Sequence, residues 1–207
     1  MRVSIATLTI LSFAHTLSAA PAVIEARATR NDLASGACKP YTLIFARGTL
    51  EPAGNLGSIG TPLVEALARV LPGGAGALAV QGVNYDADMQ GAIRGGDPAG
   101  SRAMAALVNR ACAKTKIILG GYSQGAQLVH NAVALLSAAE AKKIDAVVMF
   151  GDPKNGKALG KGVGPRSRTF CNAADVICKG RFQITAAHKT YANDCPKAAS
   201  FIRSIVV

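Results

Sequence analysis

The sequence lacks tryptophan altogether, and aromatic residues make up only 5% of its 207 positions, whereas it holds 22 glycines and many alanines. Small side chains let backbone segments pack closely, which favours a dense globular core. Beyond the first residues, no apolar stretch is long enough to span a bilayer, and no repeat or low-complexity tract occurs. The sequence therefore excludes a membrane-spanning domain and a repeat architecture.

Metal ligands are also scarce. The chain has three histidines, and its five cysteines include no Cys-x-x-Cys pair. A structural zinc site needs four such ligands at suitable spacing. We therefore expect no metal and no cofactor.

The first 22 residues have the pattern of a secretory signal, with Arg2, an apolar core from 5 to 13 and small residues at 18–22. Residues 23–37 follow as a pro-segment or a loose N-terminus, and residues 38–207 form one domain. Secretion makes disulfides plausible for the five cysteines. Cys171 and Cys178 would close a short loop, Cys38 and Cys112 a long one, and Cys195 would remain. Because the number is odd, spacing alone leaves the pairing open.

Acidic residues are few: the chain has 12 Asp and Glu but 23 Lys and Arg, so its formal net charge is +11. Ten of the basic residues lie between Lys142 and Lys189, against three aspartates. This segment is either a solvated basic face or a surface attracted to an acidic wall or polyester. We expect no nucleic-acid partner, because the chain carries a secretory signal and no recognition motif.

Strand-like and helix-like segments alternate along the chain. Strands are predicted at 41–46, 78–83, 115–119, 144–150 and 167–171. Four helices are predicted: one that begins at Thr61-Pro62, one that contains Met104, one from 127 to 139, and a last one that is capped at or near Asp194. Such alternation favours a mainly parallel sheet with helices on both faces. Ligands of these sheets bind beyond the carboxyl ends of the strands.

One serine lies at such an end. The pentad Gly121-Tyr-Ser123-Gln-Gly125 follows the apolar strand at 115–119 and precedes a helix. In a sharp strand-to-helix turn, the flanking residues must be small and the serine becomes an exposed nucleophile. The pentad alone is a common pattern, but its position between strand and helix supports a catalytic Ser123.

A serine nucleophile needs a base and an acid that orients the base. His15 belongs to the signal, and His130 lies about 10 Å along the helix from Ser123 and is interpreted as a surface or packing histidine. His188 is therefore the predicted base. Asp175 is the favoured acid because it lies between Cys171 and Cys178.

Two other aspartates occupy the interval between serine and histidine. Asp145 begins a strand and so lies at the wrong end of the sheet, whereas Asp152 ends that strand and remains the alternative acid. For the oxyanion, we expect the backbone N–H of Gln124 and a donor from the loop after the first strand, where Thr49 offers an N–H and a hydroxyl. Thr49 alone could equally be a loop cap.

Several motifs together resemble the fungal cutinase family, which includes acetylxylan esterases. The matching segments follow the family order across nearly all of the mature chain: Ala46-Arg-Gly-Thr49, Gly54-Asn-Leu-Gly57, Gly95-Gly-Asp-Pro-Ala-Gly100, Gly120 to Ala126, Phe150-Gly-Asp-Pro-Lys-Asn155, Phe170-Cys-Asn-Ala-Ala-Asp-Val-Ile-Cys178 and the His188 segment. The segment around the two cysteines is the most specific of them.

This resemblance implies a three-layer α/β/α sandwich, a lidless α/β-hydrolase with about five central strands. It implies the triad Ser123, Asp175 and His188, an oxyanion hole from Thr49 and Gln124, and the disulfides Cys38–Cys112 and Cys171–Cys178. It also implies an apolar mouth, for which Met89, Phe182 and Ile184 are the candidates. Lys189 and Cys195 depart from the family pattern.

The resemblance predicts a secreted, monomeric serine esterase that hydrolyses plant cutin and short-chain esters at a plant surface. An acetylxylan esterase of the same family is the nearest alternative. A wall-binding or defence-eliciting protein with incidental catalysis is an alternative of another class, and the intact triad argues against it.

Overall fold

A computed structural model describes residues 29–36, 38–51 and 54–207. The signal segment predicted for residues 1–22 lies outside the described residues. Five strands form one sheet in which every neighbouring pair is parallel, in the order β2-β1-β3-β4-β5: β1 Tyr41–Ala46, β2 Leu78–Gly82, β3 Lys116–Tyr122, β4 Ile144–Phe150 and β5 Ser167–Phe170. The predicted five-stranded α/β architecture is confirmed.

Six α-helices connect or follow the strands: α1 Gly57–Val70, α2 Met89–Ile93, α3 Pro98–Arg110, α4 Gln124–Leu135, α5 Ala138–Ala141 and α6 Cys195–Val206. Short 3-10 turns occur at Asp32–Ala34, Gly74–Ala77, Gly164–Arg166, Ile177–Lys179, Ala186–Lys189 and Tyr191–Asp194.

The sheet separates two apolar clusters, which explains why its central strands are apolar throughout rather than alternating. On one face, Leu43, Phe45 and Ile118 pack with residues of α1 and α6. On the other face, Ile44, Leu119 and Val147 pack with residues of α3 and α4. Each of the three central strands, β1, β3 and β4, therefore sends alternate side chains into the two clusters.

The first long helix begins five residues earlier than its sequence pattern predicts, at Gly57 instead of Pro62. Helix α1 starts at Gly57, so Pro62 lies inside the helix rather than at its first turn. The carboxylate of Glu51 accepts hydrogen bonds from the N–H groups of Gly48, at 2.6 Å, and Ser58, at 2.8 Å. A negative group at a helix N-terminus stabilises the unpaired N–H groups and the helix dipole, which fixes this earlier start.

The described part of the N-terminal segment is attached to the edge of the sheet. Gly82 N–H donates to the carbonyl of Arg30 at 2.8 Å, and Val80 N–H donates to Asp32 Oδ2 at 3.0 Å. The side chain of Asn55 bonds both the N–H and the carbonyl of Arg30. Residues 30–32 thus cover the outer edge of β2 and bond backbone groups of that strand. The division between an N-terminal segment and a domain that begins at residue 38 stays a prediction.

Two disulfides are present in the structure. Cys38–Cys112 joins two cysteines that are 74 positions apart in the sequence, and Cys171–Cys178 joins two that are seven positions apart and so closes a short loop. Cys195 is a free, buried thiol at the start of α6. Since its sulfur is enclosed, Cys195 does not offer an accessible link to a second chain.

Candidate active site

The site lies at the edge where all five strands have their carboxyl ends, because the sheet is fully parallel. Ser123 connects β3 to α4 with φ 55° and ψ −116°, a strained conformation for a residue with a side chain. A Cβ at Gly121 would lie 2.3 Å from the carbonyl oxygen of Gly125, and a Cβ at Gly125 would lie 2.0 Å from that of Ala46. Glycine is therefore required on both sides of the turn.

Three predicted residues meet at this turn. Ser123 Oγ lies 3.0 Å from His188 Nε2, and His188 Nδ1 lies 2.8 Å from Asp175 Oδ2. All three residues are buried. An ionised carboxylate can only accept, so Nδ1 carries the proton and Nε2 is left to accept the serine hydroxyl proton. In serine hydrolases, an arrangement of this kind activates the serine hydroxyl for attack on a carbonyl.

The position of Asp175 is fixed from several sides. Its Oδ1 accepts the N–H of Ile177 at 3.0 Å, and its own N–H donates to the carbonyl of Asn172 at 2.9 Å. The Cys171–Cys178 disulfide closes the same loop. Tyr191, which the sequence analysis did not single out, donates its hydroxyl to Asp175 Oδ2 at 2.6 Å.

The histidine segment is held by the residue that precedes the nucleophile. Tyr122 donates its hydroxyl to the backbone carbonyl of His188 at 2.8 Å, and the two rings lie 5.1 Å apart. Burial raises the pKa of Tyr122, and the nearby charges of Glu51 and Asp175 raise it further, so the phenol stays protonated as a donor. The middle of the pentad thus provides both the serine and a hydrogen bond to the base.

The alternative acid lies elsewhere. Asp152 Oδ2 is 2.9 Å from His130 Nε2, and its Oδ1 accepts the N–H of Lys154 at 2.8 Å. His130 is therefore a partly buried, hydrogen-bonded side chain, which fits the packing role rather than the surface role. Asp145 bonds Lys116 and the N–H of Ile117 near the start of the strands, at the opposite edge of the sheet.

The two predicted oxyanion residues contact each other. The Nε2 of Gln124 donates to Thr49 Oγ1 at 2.9 Å and to the carbonyl of Asp88 at 2.8 Å. Since Thr49 Oγ1 accepts this bond, its own proton remains available for another acceptor. The backbone N–H of Gln124 belongs to the first turn of α4, where N–H groups have no acceptor within the helix.

Several large apolar side chains are exposed on segments that contact or adjoin the residues of the site. The loop after β1, helix α2 and the loop before His188 each present some of them, and all are at least half exposed: Leu50 68%, Met89 50%, Ile93 62%, Phe182 64% and Ile184 57%. Met89, Phe182 and Ile184 are the three that the sequence predicts, whereas Leu50 and Ile93 emerge only from the structure. Leu50 adjoins Thr49 and has φ 55°, and its N–H donates to the carbonyl of Ala87. We call these five residues the apolar rim.

The part of the chain that the structure describes shows neither a metal-binding cluster nor a membrane-spanning helix. No group of three or more His, Cys, Asp or Glu side chains there is arranged to hold a metal ion. No helix there has the length and apolar character needed to cross a membrane.

Comparison with known proteins identifies the family of the chain. The family model named Cutinase matches residues 37–206. A cutinase of Botryotinia fuckeliana is 44% identical over 191 residues, which cover 90% of this chain and 89% of that protein. The structure of Trichoderma reesei cutinase in complex with a C11Y4 phosphonate inhibitor superposes with a TM-score of 0.81 at 38% identity, covering 91% of this chain and 84% of that one.

An acetyl xylan esterase structure superposes with a TM-score of 0.66 at 20% identity, covering 83% of this chain and all of that one. At this identity the likeness concerns the fold alone.

Proposed function

The chain belongs to the cutinase family of carboxylic ester hydrolases, and we propose that it is a secreted serine esterase that hydrolyses the plant polyester cutin and short-chain esters. The observation that carries the proposal is the continuous hydrogen-bond path from Ser123 Oγ through His188 to Asp175, at 3.0 and 2.8 Å. We further propose that these three residues are the catalytic triad.

The proposed reaction has two halves. In the first, His188 Nε2 takes the hydroxyl proton of Ser123 while Oγ attacks the ester carbonyl. The tetrahedral intermediate expels the alcohol, which receives the proton from His188, and an acyl-Ser123 ester remains. In the second half, His188 deprotonates a water that attacks this ester, and the acid leaves as Ser123 regains its proton. Asp175 stays ionised and stabilises the imidazolium in both halves.

The oxyanion of each intermediate needs preorganised donors. The N–H of Gln124 and the hydroxyl of Thr49 are the proposed pair. The support is the bond from Gln124 Nε2 to Thr49 Oγ1, which directs the hydroxyl proton of Thr49 away from Gln124. The side chain of Gln124 thus orients one donor while its backbone supplies the other.

The apolar rim supports the choice of substrate. Exposed side chains of this size on several loops around one site fit the aliphatic chains of a polyester better than the polar backbone of xylan. A role in binding alone is less well supported, because the strained backbone of Ser123 is a costly feature without a catalytic use. We expect the mature enzyme to act outside the cell as a monomer.

Product analysis tests the substrate. The enzyme should release ω-hydroxy fatty acids from purified cutin faster than acetate from acetylated xylan. Predominant release of acetate would instead favour the acetylxylan esterase, and release of neither product, with no hydrolysis of a soluble ester, would favour the binding protein.

A rim variant sharpens this test. Phe182→Ser with Ile184→Ser should lower cutin hydrolysis at least severalfold and change hydrolysis of a short soluble ester less. Leu135→Ser is the matched control, because Leu135 is 56% exposed at the other end of α4. Equal losses in the rim variant and the control would contradict a role of the rim in substrate binding.

A further inference from the structure

One oxygen of Asp175 serves two donors. Oδ2 lies 2.8 Å from His188 Nδ1 and 2.6 Å from the hydroxyl of Tyr191. Tyr191 is fully buried and is among the largest such side chains in the protein. A tyrosine hydroxyl so placed acts directly on the carboxylate that supports the base.

The direction of the bond from Tyr191 is determined by its other partner. The N–H of Asn172 donates to the phenol oxygen of Tyr191 at 3.0 Å, so the phenol proton is free to point at Asp175. Burial raises the pKa of the Tyr191 phenol, and its bond to Asp175 raises it further, which keeps the donor protonated. The ring packs 6.2 Å from Phe150 and 6.1 Å from Tyr122.

We propose that Tyr191 is a positioning residue that tunes the basicity of His188 through Asp175. The inference rests on the proposed function, because it assumes that His188 acts as the base. A donor to the carboxylate draws off part of its negative charge, so the carboxylate stabilises a protonated imidazole less strongly. The same bond keeps Oδ2 directed at Nδ1.

Other ionisable groups near His188 come from several elements. Tyr122 at the end of β3 bonds the His188 carbonyl, and Asp152 in the loop after β4 is occupied by His130. Lys189 follows His188 and is exposed. Asp194 ends the turn of Tyr191 and pairs with Lys197 at 3.5 Å. The change Tyr191→Phe alters none of these groups, so it isolates the hydroxyl.

The test compares Tyr191→Phe with Tyr41→Phe, a buried tyrosine at the start of β1 and so at the opposite edge of the sheet. Each variant is first titrated with a fluorophosphonate to count active sites, and kcat and KM for a soluble ester are then measured from pH 5 to 9. Without the donor, the carboxylate stabilises the imidazolium more strongly, so the acidic limb of kcat/KM should move to higher pH by about 0.5–1 unit. We expect kcat to fall severalfold and KM to change little, with both unchanged in Tyr41→Phe.

An acidic limb that stays within about 0.2 unit of the parent would overturn the inference and leave Tyr191 as a core residue. If Tyr191→Phe does not fold, all tyrosines can be replaced by 3-fluorotyrosine instead. Because a fluorinated Tyr122 would also bond the His188 carbonyl, this replacement is made in a Tyr122→Phe chain. The more acidic fluorinated hydroxyl of Tyr191 should then move the limb to lower pH, and an unmoved limb would overturn the inference. A parent that is not labelled at Ser123 would instead contradict the proposed function.

Discussion

His130 Nε2 lies 2.9 Å from Asp152 Oδ2, and this buried pair shares no residue with the pair His188–Asp175. It joins helix α4, which begins after Ser123, to the loop that follows β4. Residues 29–36, 38–51 and 54–207 therefore hold two His–Asp pairs near the ends of the central strands, and only one of them reaches the serine.

The second pair should matter for stability rather than for rate. His130→Ala leaves the Asp152 carboxylate buried without its partner, which should cost about 2–4 kcal/mol in the free energy of unfolding. Urea unfolding measures this loss, and ester hydrolysis per folded molecule should stay within a few-fold of the parent. His130→Gln, which can still donate to Asp152, should recover part of the stability. A large loss of rate in folded His130→Ala would assign the pair a catalytic role.

The enzyme should show no interfacial activation. The only helix between β2 and α3 in the described part of the chain is the five-residue α2, which is too short to cover the site as an amphipathic lid. The hydrolysis rate of a short-chain ester should therefore follow simple saturation as its concentration passes the solubility limit. A sharp rise at that limit would show that a segment opens at the interface.

The two disulfides should have different effects. In the chain-entropy model, the Cys171–Cys178 loop contributes roughly 2–3 kcal/mol and the Cys38–Cys112 loop about 4.5 kcal/mol. The short loop also holds Asp175, and a displacement of about 1 Å there can cost on the order of a hundredfold in rate. Cys171→Ser with Cys178→Ser should therefore lower activity more than it lowers the folded fraction. Cys38→Ser with Cys112→Ser is the control and should lower mainly stability.

Cys195 should be unreactive in the folded protein. Its sulfur lies 3.7 Å from the carbonyl oxygens of Ile59 and Tyr191, and burial, followed by the charge of Asp194, raises its pKa to about 12. At pH 8 the thiol is almost fully protonated and enclosed, so alkylation should be slow until denaturant is added. Peptide mapping without reduction should then find one alkylated cysteine, at 195. Finding Cys195 bridged to Cys171 or Cys178 would contradict the pairing.

Much of the site could be predicted because the candidates were so few. With three histidines in the chain, elimination led to His188, and the alternation of strands and helices placed Ser123 at a strand end. These inferences depend on local pattern and on counting, which a sequence displays directly. The structure brings both residues together with Asp175.

The missed residues act through contacts that no local pattern reveals. Tyr191 reaches Asp175 from 16 positions away, and Glu51 reaches the first turn of α1 across a loop. In the sequence, Tyr191 resembles any aromatic core residue, and Pro62 marked a later helix start than the one Glu51 stabilises. Leu50 was overlooked because one exposed leucine has no meaning until its neighbours on other loops are known.

Phosphonylation tests the central claim most directly. A fluorophosphonate should add one group per chain, peptide mapping should place it on Ser123, and ester hydrolysis should disappear in proportion. Ser123→Ala should not be labelled, and folded His188→Ala should lose about 10⁴-fold or more in turnover while His130→Ala keeps most of it, because members of a triad fail together. Labelling at another residue, or a His188→Ala enzyme that hydrolyses esters at the parent's rate, would contradict the assignment.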